Sequence, residues 1–148
     1  MCYDANSRTC LGDVISVFTQ GIDRESKAPP NIRSFLRGCS SLKSVHLAGI
    51  SSLNMEVILE LLSRGLQELH LIGCDVKSLE AFSIFGSLLP NTTLNVLDLS
   101  CNDDIFVGED CENLMCCVVG FLRLNKTIEA VCLRGQSKPF NPLFSLAR

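Results

Sequence analysis

Leu94-Asn-Val-Leu97-Asp-Leu99-Ser-Cys-Asn102 carries leucine at its first, fourth and sixth positions and asparagine at its ninth, the pattern L-x-x-L-x-L-x-x-N. The alternation of apolar and polar residues through Leu97, Asp98, Leu99 and Ser100 is that of a half-buried strand. The closing asparagine can hydrogen-bond the backbone where the chain turns off the strand, satisfying groups that would otherwise be orphaned. The pattern recurs. Leu66-Gln-Glu-Leu69-His-Leu71-Ile-Gly-Cys74 repeats it with Cys in the Asn position. Leu42-Lys-Ser-Val45-His-Leu47-Ala-Gly-Ile50 and Ile128-Glu-Ala-Val131-Cys-Leu133 repeat it with aliphatic substitutions.

The four motifs begin at residues 42, 66, 94 and 128, which are 24, 28 and 34 residues apart. The last interval holds an insertion, placed at Asp103 to Asp110. A helical stretch follows each of the first three strands. Val57, Ile58, Leu61 and Leu62 fall on one stripe, closed by Arg64-Gly65. Ser78 is placed as the cap of a second helix, with Ala81, Phe82, Phe85, Leu88 and Leu89 as its buried stripe before Pro90. Leu114, Cys117, Val118, Phe121 and Leu122 form the third stripe, with acidic residues before it and Arg123 and Lys126 at its far end, matching the helix dipole. The unit is strand, turn, helix, return. One such unit cannot cover its own apolar strand face, so neighbours stack into a parallel sheet with helices outside.

Residues 1–30 are read as an N-terminal cap: a polar start, a helix from Cys10 to Gln20 on the spacing of Leu11, Val14, Ile15 and Phe18, and a charged linker ending in two prolines. Asn31 can cap a short helix carrying Ile32, Phe35 and Leu36. Repeats occupy 31–135, and 136–148 is a tail or truncated repeat.

At 148 residues the chain is one domain by length, and with 47% hydrophobic residues it can bury a core unaided. A net charge of −3 argues against nucleic acid or an anionic membrane surface as partner, since both need a basic face. Nine cysteines cannot all pair within one chain. The first residues lack the apolar core of a signal peptide, so the cysteines are read as reduced and the protein as cytoplasmic.

The recurring motif resembles that of leucine-rich repeats. Leu-Pro-Asn-Thr-Thr-Leu at 89–94 and Arg-Leu-Asn-Lys-Thr-Ile at 123–128 lead into strands as they do in the ribonuclease-inhibitor type. Gly38-Cys-Ser-Ser-Leu42 and Leu71-Ile-Gly-Cys74 resemble the cysteine-containing repeats of F-box substrate adaptors. The resemblance, over about residues 31–135, implies a short right-handed α/β horseshoe segment with about four parallel strands and outer helices. It also implies non-catalytic protein recognition on the concave sheet surface.

Between the last two leucines of each motif stand His46, His70, Asp98 and Cys132, all of them residue types that bind zinc. On a parallel ladder they become rung neighbours, roughly 4.8 Å apart. A flat row seldom folds into a tetrahedron, so the favoured reading is a polar patch on a binding face, with His70 and Asp98 paired. The flanking rows are Ser44, Glu68, Val96, Ala130 and Ala48, Ile72, Ser100, Arg134. Asp98 to Glu109 imitates a calcium-binding EF-hand loop, but lacks its central glycine and the helix before it. Asn91-Thr-Thr93 and Asn125-Lys-Thr127 match the glycosylation sequon, yet occupy one place in the repeat and need no sugar to explain them. Nothing matches a hydrolase, metalloprotease or nucleotide-binding motif.

The sequence thus predicts a non-enzymatic module without cofactor, small-molecule substrate, nucleic acid or membrane. Its protein partner is expected on His46, Glu68, His70, Ile72, Asp98 and Arg134. Two alternatives stand beside this: the substrate-recognition part of a ubiquitin-ligase adaptor, and a metal-binding protein using the His/His/Asp/Cys ladder.

Overall fold

In a computed structural model the described residues are 2–3, 14–18, 42–50, 53–90, 92–108 and 110–135, the first two groups by their backbone. Each leucine motif forms a strand: β3 (Ser44–Ala48), β4 (Glu68–Ile72), β5 (Val96–Asp98) and β6 (Ala130–Cys132). Helices α1 (Met55–Ser63), α2 (Ser78–Leu88) and α3 (Cys111–Leu124) alternate with them. Two further strands, β1 (Cys2–Tyr3) and β2 (Val14–Phe18), extend the sheet on the β3 side. All neighbours are parallel, in the order β1-β2-β3-β4-β5-β6.

The register is the one the motifs dictate. Val45 pairs with Leu69, Leu69 with Leu97 and Leu97 with Val131. Val45, Leu47, Leu69, Leu71, Leu97 and Leu99 are wholly enclosed, and they share one core with the inner stripes of the helices. The even-numbered residues of these four strands face the other way, and all but Ser44 stay partly exposed.

The turn that leaves each strand is built the same way four times. Gly49, Gly73, Cys101 and Gly135 occupy it, with φ of 68°, 58°, 60° and 68°. The backbone N–H of each of the first three donates to the next turn, to Ile72 O, Ser100 O and Arg134 O at 2.7–2.9 Å. Three glycines meet this left-handed requirement without strain, whereas Cys101 meets it with a Cβ. The approach to each strand repeats as well. Gln67, Asn95 and Glu129 donate to Lys43 O, Gln67 O and Asn95 O at 2.7–2.8 Å.

Asn102, 1% exposed, does what the motif needs of it. Its Nδ2 donates to Leu71 O and Leu99 O, both at 2.8 Å, and its Oδ1 accepts from Cys74 N–H and Val76 N–H at 2.9 and 3.0 Å. One side chain therefore satisfies buried backbone groups of two successive turns. Cys74, in the corresponding place, donates its thiol to Leu47 O and Ile72 O at 3.3 and 3.5 Å. Cysteine thus stands in for asparagine weakly on both sides, its S–H toward these carbonyls and its sulfur toward the backbone N–H groups of Ile50 and Gly49. Asn125 is likewise structural: its Oδ1 accepts from Thr127 N–H and Ile128 N–H, and its Nδ2 donates to Leu88 O.

Helix α1 buries Val57, Ile58, Leu61 and Leu62 as its spacing predicts, with Asn54 as its N-cap and Gly65 (φ 86°) just past its end. Helix α2 departs from expectation. Its buried stripe is Ala81, Ile84, Phe85 and Leu88, while Phe82 and Leu89 are more than 40% exposed. Each lies one residue, about 100° of helical turn, off the stripe. Ser78 is not the cap. It sits inside the helix, and its hydroxyl, 2.8 Å from Ile105 O and 2.9 Å from Val107 O, gives its one proton to a carbonyl of the insertion, so anchoring the loop that buries Ile105. In α3, Leu114, Val118 and Phe121 are buried and Cys117 partly so, but Leu122 is half exposed.

The N-terminal helix expected from Cys10 to Gln20 is corrected: Val14–Phe18 is a strand. Three β-branched residues among its five favour extended backbone, and parallel pairing from Val14↔Ser44 to Phe18↔Ala48 closes the edge that β3 would otherwise leave open. Cys2–Tyr3, expected to be loose, pairs with Ser16 and Val17. The linker, the Asn31-capped helix and the 136–148 tail lie outside the described residues.

Candidate functional site

The sheet face opposite the helices carries the side chains that alternate with the buried leucines. Among the described residues no helix packs on it. Pairing places His46 beside His70, His70 beside Asp98 and Asp98 beside Cys132, as the ladder reading expected. The row before them pairs Ser44 with Glu68, Glu68 with Val96 and Val96 with Ala130.

The imidazoles of His46 and His70 stack, with ring centroids 3.9 Å apart and planes 19° from parallel. Ser44, only 4% exposed, donates its hydroxyl proton to Glu68 Oε2 at 2.8 Å and lies 2.8 Å from His46 Nε2. A hydroxyl has one proton to give, so toward His46 the Ser44 oxygen acts as acceptor and Nε2 bears the N–H. Glu68 Oε2 is itself 3.7 Å from His46 Nε2. On the far side of the stack, His70 Nδ1 lies 3.6 Å from Asp98 Oδ2, beyond hydrogen-bond range but within ion-pair range. The other Asp98 oxygen accepts the Ser100 N–H at 2.9 Å, which fixes the carboxylate in the turn.

Burial lowers the His46 pKa below its ordinary value, and the neighbouring His70 adds to this; Glu68 pulls the other way and loses. The shift favours the neutral imidazole, the form that can stack on a second imidazole or act as a ligand.

The donor atoms of His46, Glu68 and His70 all lie within 4.8 Å of one another, the one such group among the described residues. The grouping differs from the His46/His70/Asp98/Cys132 set that ligand types alone suggest. Cys132 stands a rung beyond Asp98, whereas the flexible Glu68 reaches diagonally to His46. A carboxylate two residues before a histidine on one strand shares its face. That signal is present in the sequence, and a search confined to single rungs passes over it.

Of the other residues expected to bind a partner, Ile72 lies half-buried on this face, as does Val96 of the flanking row, and Arg134 is exposed beyond the end of β6. Ser100, grouped with them, is turned inward, and its Oγ accepts the Arg134 N–H at 3.2 Å. The calcium-loop imitation fails on geometry as well as on composition, because Asn102 spends its amide on backbone and Asp98 is a strand residue.

A groove lies on the outer surface between α2 and α3, lined by Leu79, Phe82, Asp110, Asn113, Cys116 and Cys117, with a volume of ≈ 440 Å³. Cys74, Cys101, Cys111, Cys116, Cys117 and Cys132 are free thiols; Cys101 and Cys116 are exposed and Cys74 is buried. No described helix is long and apolar enough to cross a membrane. No protein-family description, curated protein or solved structure matches this chain.

Proposed function

We propose that this chain is a short leucine-rich-repeat solenoid that holds a protein partner on its uncovered sheet face, in the cytoplasm and without catalysis. The observation that carries this reading is the polar row Ser44, His46, Glu68, His70 and Asp98, laid on the one sheet face that no described helix covers. The recurring turns and strand entries support the repeat assignment, since stacked equivalent units require equivalent bonds between them. A mixed surface of charged, polar and aliphatic groups suits a protein better than a bare anion. His46, Glu68, His70 and Asp98 supply the polar contacts, Ile72 the apolar one and Arg134 a charge at the rim. Cys132 has a carboxylate and not a histidine as its rung neighbour, so this reading assigns no thiol–base pair. A photo-crosslinking side chain at Ile72 should capture a partner in cell extract, and one at Leu79 on the outer surface should not. Capture from Leu79 alone would overturn the assignment.

A second reading, that of a metal-binding protein, is favoured by one specific observation: two imidazoles and a carboxylate converge within ligand reach. That convergence supports metal binding more directly than anything on the face identifies a particular protein.

A further inference from the structure

We propose that His46, Glu68 and His70 form a site for a borderline divalent transition-metal ion, zinc above all, with Asp98 as the group that orients His70. The proposal deepens the metal-binding reading and rests on it, not on the protein-partner reading.

The donor set selects the metal. Two imidazole nitrogens and one carboxylate oxygen suit zinc and its neighbours, whereas calcium and magnesium want oxygen alone. Three protein ligands also match zinc sites that keep a fourth position open for water or an incoming group.

The spacing is close to what such an ion needs. Two donors each 2.0–2.1 Å from a tetrahedral zinc stand roughly 3.4 Å apart. His46 Nε2 and Glu68 Oε2 are 3.7 Å apart and are already turned toward one another by Ser44, which hydrogen-bonds both. A bound ion takes the place of that serine bridge. His70 turns Nδ1 toward Asp98 Oδ2 at 3.6 Å, and closing that gap to hydrogen-bond range on ligation leaves Nε2 as the metal donor, the carboxylate–histidine arrangement that fixes tautomer and ring orientation at metal sites. Asp98 is in turn held by the Ser100 N–H.

Two changes are required: the His46 proton moves from Nε2 to Nδ1, freeing the Nε2 lone pair, and the ring stack opens. A metal lies in the plane of each imidazole that binds it, and two rings stacked 3.9 Å apart at 19° share no such point near their nitrogens. One ring must rotate out of the stack. His46 is the freer of the two, its side chain 31% exposed against 18% for His70, so ligation unstacks His46.

The full chain, reduced and stripped of metal, is titrated with zinc by calorimetry and with cobalt(II) by visible absorption. Histidine ring signals are followed by NMR in the same titrations. With nine cysteines present, thiolate binding is the competitor, and cobalt distinguishes it by an intense thiolate-to-metal charge-transfer band. The proposal expects one equivalent of metal, no such band, and shifts of both the His46 and His70 ring signals. His46→Ala and His70→Ala each lower affinity at least 100-fold, Asp98→Asn lowers it about 10-fold, and Cys101→Ser with Cys116→Ser leaves it unchanged. Circular dichroism checks that each variant folds, and the ring signals of the wild type locate the metal without any variant. Zinc bound through thiolates, with the ring signals unmoved, overturns this site while leaving a metal-binding protein. No zinc bound at all overturns both.

Discussion

The side-chain oxygen of Asn102 accepts the backbone N–H of Cys74 at 2.9 Å, so the ninth residue of one motif holds the ninth residue of the motif before it. The same oxygen takes Val76 N–H, and the amide nitrogen returns to Leu71 O and Leu99 O. Asn102→Ala strands these groups in a site that is 1% exposed. At about 1–3 kcal/mol for a buried group left unsatisfied, partly recovered by relaxation, a loss of about 3–5 kcal/mol is expected in urea unfolding. Asn102→Asp keeps the acceptor, loses the donors and buries a charge against carbonyls. It should be as damaging at pH 7 and milder near pH 4, where the protonated acid can donate.

Cys101 is the position at which the sequence departs from what its own turns demand. Three equivalent turns use glycine, and Cys101 holds φ 60° with a Cβ. The left-handed conformation costs a non-glycine residue about 1–2 kcal/mol, and glycine gives back part of that through unfolded-state entropy. Cys101→Gly should therefore raise stability by about 0.5–1 kcal/mol, seen as a higher urea midpoint; a lower midpoint would contradict the left-handed strain assigned to this turn. Gly135→Ala should do the reverse, since an added Cβ would stand 2.9 Å from Cys101 Sγ at a positive φ.

Burial pushes the Cys74 thiol up from 9.0 to about 11. The folded value exceeds the unfolded one, so the contribution to stability is whole below pH 9.0 and is lost as pH rises toward about 11. Cys74→Ala should remove that part of the alkaline loss. At pH 8, alkylation read by peptide mass spectrometry should mark Cys101 and Cys116 rapidly and Cys74 only at the rate of unfolding.

The corrected face of α2 has a direct check. Ile84 is wholly buried beside Phe85, whose ring meets Phe121 with centroids 5.4 Å apart, whereas Leu89 is 44% exposed. Ile84→Ala should cost about 2–5 kcal/mol, and Leu89→Ser less than about 1 kcal/mol. Equal costs would restore the stripe read from sequence.

The strands are legible in the sequence because the leucine motif fixes both their period and their register, and a one-residue slip would turn Leu69 and Leu71 to solvent. The first helix is legible for a similar reason, its four aliphatics being the whole stripe. Helix α2 is apolar over more than one face, so sequence cannot choose between Ile84 and Leu89; the packing of Phe85 on Phe121 chooses. Val14–Phe18 reads as helix from its spacing because five residues with mixed spacing fit either period, and the open edge of β3 decides for a strand. The ladder alone brings His46, His70 and Asp98 together correctly. It puts Glu68 on the right face but in the wrong group, because the reach of Glu68 across the diagonal depends on a rotamer that Ser44 holds.

Affinity capture with matched variants tests most directly whether the sheet face does the binding. Wild type is compared with His70→Glu/Asp98→Arg on the sheet face and Leu79→Ser/Phe82→Ser on the outer groove, each shown to be folded by circular dichroism. Partners held by wild type should be kept by the groove variant and lost by the sheet-face variant. Partners kept by the sheet-face variant and lost by the groove variant would contradict this and move the working surface to the helices.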